Sequence, residues 1–235
     1  MDKTVAHPAE AVARIRDGAT VMIGGFGGSG APVELIHALI DHGAKNLTIV
    51  NNNAGNGHVG LAALIEQGQV ARLICSFPRS ADPKVFTELY LAGGIELELV
   101  PQGSLAERIR AGGAGIPAFY TPTSYGTDLA QGKPVAEFDG RMYVQERWLK
   151  ADFALIKAET GDRMGNLTYR MAARNFNPVM AMAATTTIAQ VSHLVEPGEI
   201  DPETVITPGI FVDRVVRIAN PAQEEILNRQ EARHP

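Results

Sequence analysis

The sequence predicts an α/β protein, an open and mainly parallel sheet flanked by helices. Three observations point there. Short β-rich runs alternate with helical patterns through the first half, most of these runs and helices lead into glycine, and the helical segments carry one apolar face.

The first strand falls at 20–23 (TVMI) and leads through a glycine-rich stretch into a helix over 32–42. That helix opens on Pro32, places Val33, Leu35, Ile36, Leu39 and Ile40 at helical spacing, and stops at Gly43. Strands at 47–51, 72–76 and 96–100 then alternate with helices at 59–67, ending before Gly68, and at 83–92, ending before Gly93. This alternation fits a doubly wound sheet. Ser104 and Glu107 read as a capping box that opens a helix running to Ala111. From Gly112 to Gly132, glycine, proline and threonine favour turns, and an excursion over the strand ends is expected. A hairpin over 137–144 turns at Asp139-Gly140, and further strands fall at 153–157, 167–169 and 188–191. The polar tail after Val216 reads as a surface helix or a frayed end. There is no internal repeat or linker, so residues 1–235 are expected to form one domain with its core at about 5–216.

Composition narrows the function. Of the 235 residues, 45% are apolar and 20% charged, as in ordinary folded chains rather than disordered or fibrous ones. Lys and Arg number 21 against 26 Asp and Glu, a formal charge of 21 − 26 = −5 with no run of one sign, which argues against nucleic acid or an anionic membrane as a partner. A lone cysteine, Cys75, excludes an internal disulfide framework, and six scattered histidines show no zinc spacing, so no metal is expected. No window resembles a signal peptide or membrane helix, which predicts a cytoplasmic protein.

The segment DGATVMIGGFGGSGAP (17–32) runs an apolar strand into Gly24, Gly25, Phe26, Gly27, Gly28, Ser29 and Gly30 and then into a helix. Glycine permits positive φ and close approach of a ligand, and the free N–H groups of the following helix end suit an anion. A plain flexible turn is the bland alternative. Phe26 either stacks on a ligand or plugs the loop against the sheet. Residues 25–30 also satisfy G-x-G-x-x-G, which admits a nicotinamide-dependent oxidoreductase, but Asn51-Asn52-Asn53 stands where that fold wants an acidic residue. A noncatalytic ligand-binding protein is a further rival.

Together with NNNAGNG (51–57), VPQGSLAERIRAGGAG (100–115) and RMAARNFNP (170–178), the glycine segment resembles the A subunit of class I CoA-transferases, over about residues 5–216. CSFPR (75–79) and KAETGDRMGNLTYRMAARNF (157–176) look most like the 3-oxoadipate branch, with acetoacetate and acetate enzymes as near alternatives. The resemblance implies that family's fold and a two-step exchange. An enzyme glutamate attacks succinyl-CoA, becomes a glutamyl-CoA thioester, and passes CoA to 3-oxoadipate. The family's Ser-Glu-Asn-Gly motif is missing here, and Glu34 and Glu159 have other neighbours, so the nucleophile is expected on a separate B subunit, with two copies of each chain.

By the same resemblance, Gly24 to Gly30 is the CoA-binding segment, through phosphate or through pantetheine amides. CoA and its thioesters then act as substrates, with no tightly bound cofactor. Asn52 and Gln102 stand where the family's active-site amides lie, able to hold a carboxylate or a developing oxyanion. Asn53 is a weaker candidate, and asparagines after a strand also serve simply to cap turns. Arg163, Arg170 and Arg174 offer forked donors to an anion or sit at surfaces, Cys75 reads as a packing residue, and His58 as a surface histidine.

Overall fold

The computed structural model describes residues 1–79 and 81–221. In chain order the elements are β1 (Thr4–Val5), α1 (Pro8–Val12), β2 (Thr20–Ile23), α2 (Val33–His42), β3 (Leu47–Val50), α3 (Leu61–Glu66), β4 (Val70–Cys75), α4 (Lys84–Leu91), β5 (Glu96–Leu99) and α5 (Gln102–Ala114). There follow β6 (Ala118–Thr121), β7 (Val135–Phe138), β8 (Arg141–Arg147), β9 (Ala151–Asp162), β10 (Leu167–Thr168), α6 (Asn177–Ala183), β11 (Ala184–Val195) and β12 (Arg214–Arg217).

Among the described residues the main sheet has nine strands, ordered β1-β12-β11-β9-β2-β3-β4-β5, with β10 paired to β9. Every pairing is parallel except that of β10 with β9. Neighbouring residues of β2 point to opposite layers. Val21 and Ile23 pack with Leu35 and Leu39 of α2, whereas Met22 packs with Leu105 and Ile109 of α5 and Met180 of α6. Burial on both faces explains why these strands read as continuous apolar runs.

The βα alternation of the first half stands where the sequence places it. Gly43 ends α2 at φ 80°, its N–H donating to the carbonyls of Leu39 and Ile40. The hairpin turn also holds, with Asp139 and Gly140 at φ 51° and 75°.

Three expectations need correction. The α5 helix opens at Gln102 rather than at a capping box: Ser104 is buried in its first turns and its hydroxyl has no hydrogen-bond partner. Gly112 and Gly113 do not break this helix but continue it, and they are glycine because Leu149 and Met182 press on them and leave no room for a side chain. The excursion is not merely turns over the strand ends that carry the glycine loop. It forms a second, antiparallel sheet, β6-β8-β7, and leaves and rejoins beside the starts of β9 and β11. Of the tail expected after Val216, Arg217 completes β12 and residues 218–221 form neither helix nor strand, while 222–235 lie outside the described residues. No helix among the described residues is long and apolar enough to cross a membrane.

Candidate functional site

Parallel strands aim their C-terminal ends one way, and the order of this sheet reverses at β2, whose neighbours are β9 on one side and β3 on the other. Loops leaving such a point diverge and open a crevice. A cavity of about 540 Å³ lies there, walled by the loops after β2, β3 and β4 and by the start of α5.

The glycine loop forms its upper wall. Phe26 and Ser29 exchange backbone hydrogen bonds of 3.0 and 3.1 Å, which closes a two-residue turn at Gly27-Gly28. Gly24, Phe26, Gly27 and Gly28 line the cavity, whereas Gly25, Ser29 and Gly30 hold the turn from behind. Asn175 accepts from the Gly25 N–H at 3.2 Å and donates to the Ser29 carbonyl at 3.0 Å, while Asn177 donates to the Gly30 carbonyl at 3.1 Å. A methyl group at Gly24 would collide with Asn177, and one at Gly30 with the Ala173 carbonyl. These two glycines are therefore required by packing.

Two of the helix-end amides expected for an anion are already engaged. Leu35 N–H donates to Gln190 Oε1 at 3.3 Å, and Val33 N–H to the Ala31 carbonyl. What the loop offers a ligand is its Gly27-Gly28 tip and Phe26, which is 51% exposed and so does not plug the loop.

Asn51, Asn52, Asn53 and Asn56 of the asparagine loop all line the cavity, and three of them also staple the backbone. Asn51 donates to the Ile23 carbonyl at 2.6 Å, Asn53 Oδ1 accepts from Gly55 N–H at 2.7 Å, and Asn56 Oδ1 from Asp82 N–H at 2.7 Å. Asn52, only 4% exposed, differs: its Oδ1 accepts from Gln102 Nε2 at 2.8 Å and from the Ser76 hydroxyl at 2.7 Å. Asn52 and Gln102 thus meet across 50 residues, and Ser76 joins them. Ser76 and its exposed neighbour Phe77 also line the cavity. Sequence reasoning does not reach either of them as a site residue, although both lie in the CSFPR segment that carries the family resemblance.

No described residue lining the cavity is charged. Cys75 lies behind it in the core, its thiol pushed up to about 12 by burial. His58 pairs with Glu66 at 2.8 Å away from the lining. Arg163 is bound to Glu196 and Asp2, and Arg170 and Arg174 are exposed. No group of three or more candidate metal ligands occurs among the described residues.

The coenzyme A transferase family profile matches residues 5–217. The chain belongs to the coenzyme A transferase family. Among members, the A subunit of 3-oxoadipate CoA-transferase from Pseudomonas putida is 62% identical over 226 residues, covering 96% of this chain and 98% of the relative. The protein of that name from Acinetobacter baylyi is 62% identical over 218 residues, covering 93% and 96%. A crystal structure of an acyl-CoA transferase from E. coli O157:H7, a thioester complex with CoA, superimposes with a TM-score of 0.82 at 26% identity over 94% of this chain. This chain spans 48% of that longer polypeptide, about half of it. Membership in the coenzyme A transferase family sets aside the nicotinamide reading of the glycine triplet.

Proposed function

We propose that this chain is the A subunit of a succinyl-CoA:3-oxoadipate CoA-transferase, completed by a separate B subunit in an assembly of two A and two B chains in the cytoplasm. One observation carries the reading. A cavity at the sheet's switch point presents the Asn52–Gln102 amide pair without a carboxylate among its described lining, in a chain 62% identical to relatives of that name.

The chemistry follows from that lining. Acyl exchange through a carboxylate needs a nucleophile and a donor for the oxyanion that develops when a carbonyl is attacked. A cationic donor would pair with the nucleophile and blunt it, whereas a neutral amide stabilises the oxyanion and leaves the carboxylate reactive. The B subunit's glutamate attacks the succinyl-CoA carbonyl and expels CoA thiolate, leaving a glutamyl–succinyl anhydride; the thiolate then attacks the glutamyl carbonyl to form the glutamyl-CoA thioester, and succinate leaves with one of the glutamate's oxygens. 3-Oxoadipate then takes the CoA and the glutamate is regenerated. Gly27, Gly28 and Phe26 hold the pantetheine arm, and the apolar walls exclude water that would hydrolyse the thioester. CoA and its thioesters are substrates here, with no cofactor held between turnovers.

The test is to purify this chain, its B partner and the complex, and assay exchange from succinyl-CoA onto 3-oxoadipate and acetoacetate. Activity should need both chains and favour 3-oxoadipate, and mass spectrometry should find the glutamyl-CoA adduct on the B partner. Turnover by this chain alone, or faster exchange onto acetoacetate, would overturn the proposal.

A further inference from the structure

We propose that Ser76 is a positioning residue for the transfer reaction, its hydroxyl fixing the Asn52 amide so that the NH2 group is left for whatever occupies the cavity. The inference rests on the function proposed above and deepens it.

An amide side chain has an acceptor end and a donor end of nearly the same shape, and only its neighbours decide which end faces a ligand. The Ser76 hydroxyl has one hydrogen and two acceptors in reach, Asn52 Oδ1 at 2.7 Å and the Asn52 carbonyl at 3.1 Å, and it donates to the nearer, while Gln102 Nε2 donates to the same Oδ1 at 2.8 Å. Two donors fill both lone pairs of that oxygen. The backbone adds to the lock, since the Asn52 carbonyl accepts from the N–H groups of Ser76 and Phe77 at 3.2 and 3.0 Å. No described residue accepts from Asn52 Nδ2, and both Asn52 and Ser76 line the cavity. Gln102 is exposed at the first position of α5 and can swing away, whereas Ser76 is tied to the end of β4. Without the hydroxyl, the amide loses one of the two donors that hold it, and its oxygen can turn toward the developing oxyanion, where it repels rather than stabilises.

Ser76→Val and Ser76→Thr have the same shape and differ only in the hydroxyl. In the assembled A–B complex, Ser76→Val should lower kcat for CoA transfer about tenfold, the loss of one orienting hydrogen bond, while KM for succinyl-CoA stays within about twofold. Ser76→Thr should recover most of that loss. If Ser76 acts through Asn52, the Val substitution should change kcat less than about twofold in an Asn52→Ala background. Equal losses with Val and Thr, no loss with Val, or the same tenfold fall in both backgrounds would overturn the inference while leaving the proposed reaction intact. Absence of transfer in the unsubstituted complex with every 3-oxoacid would overturn the reaction and this inference together.

Discussion

Single residues of the glycine loop serve two different ends, and the structure separates them. Gly30 sits at φ +70° against the Ala173 carbonyl, so Gly30→Ala adds a collision to left-handed strain and should cost about 3 kcal/mol or more of stability. Gly27 sits at φ +61° with nothing within 4 Å of where a Cβ would be, so Gly27→Ala should cost only about 1 kcal/mol. Its methyl would stand in the cavity instead, raising KM for succinyl-CoA with kcat little changed. Urea unfolding of the chain and steady-state kinetics of the complex measure the two effects. Asn52→Asp keeps the acceptor oxygen but replaces both N–H donors with charge, and kcat should fall about 10²-fold to 10³-fold. The loop's glycines, Asn52 and Gln102 were legible because their motifs are contiguous in the sequence. The reason for Gly24 and Gly30 was not, because Asn177 presses on the first and the Ala173 carbonyl on the second from about 150 residues away.

At the scale of elements, α5 shows how a local pattern misleads when packing decides. A capping box would make Ser104→Ala cost about 1 kcal/mol, but the Ser104 hydroxyl is buried without a partner. Its removal relieves a desolvated group and adds helix propensity, so Ser104→Ala should leave the chain as stable or more stable by up to about 1 kcal/mol. Gly113→Ala runs the other way. In an exposed helix it would gain about 1 kcal/mol, but here the new Cβ meets Met182 Cβ at 2.7 Å, and a net loss of stability is expected. Thermal melts of the two variants beside the unsubstituted chain check both signs. Elements with an apolar face and a glycine stop were readable from their own residues. β1 was not, because its two residues form a strand only by pairing with β12 at the far end of the chain. The ends of β9 and β11 escaped for a similar reason: His193 and Thr160 hold strand geometry through their mutual pairing, not through an apolar run.

Across the whole molecule, the order of the main sheet brings the loops at 24–30 and 51–57 and residues 76, 77 and 81 to one crevice, and this convergence is tertiary. The sequence shows that the second half carries strands, but not that β9 and β11 extend the same sheet beside β2, since which strand lies beside which leaves no local mark. The edge of the sheet is tied to the smaller sheet by charge. Glu98 on β5 accepts from Arg72 of β4 at 2.6 Å and from Arg108 of α5 at 2.7 Å, and Arg108 also donates to the Arg147 carbonyl of β8 at 2.9 Å. Burial acts to raise the Glu98 carboxyl, but the hydrogen bonds and charges of Arg108 and Arg72 together outweigh it and hold the group below the usual glutamate range. A carboxyl whose folded pKa is depressed stabilises the fold above its unfolded pKa, about 4.3, and that contribution is lost as pH falls through the folded value. Glu98→Gln should therefore be less stable than the unsubstituted chain near pH 7, and the gap should narrow once the pH drops below about 4.3. Urea midpoints taken at both ends of that range measure it. A gap that stays constant with pH would mean that the Glu98 charge is not what joins the two sheets.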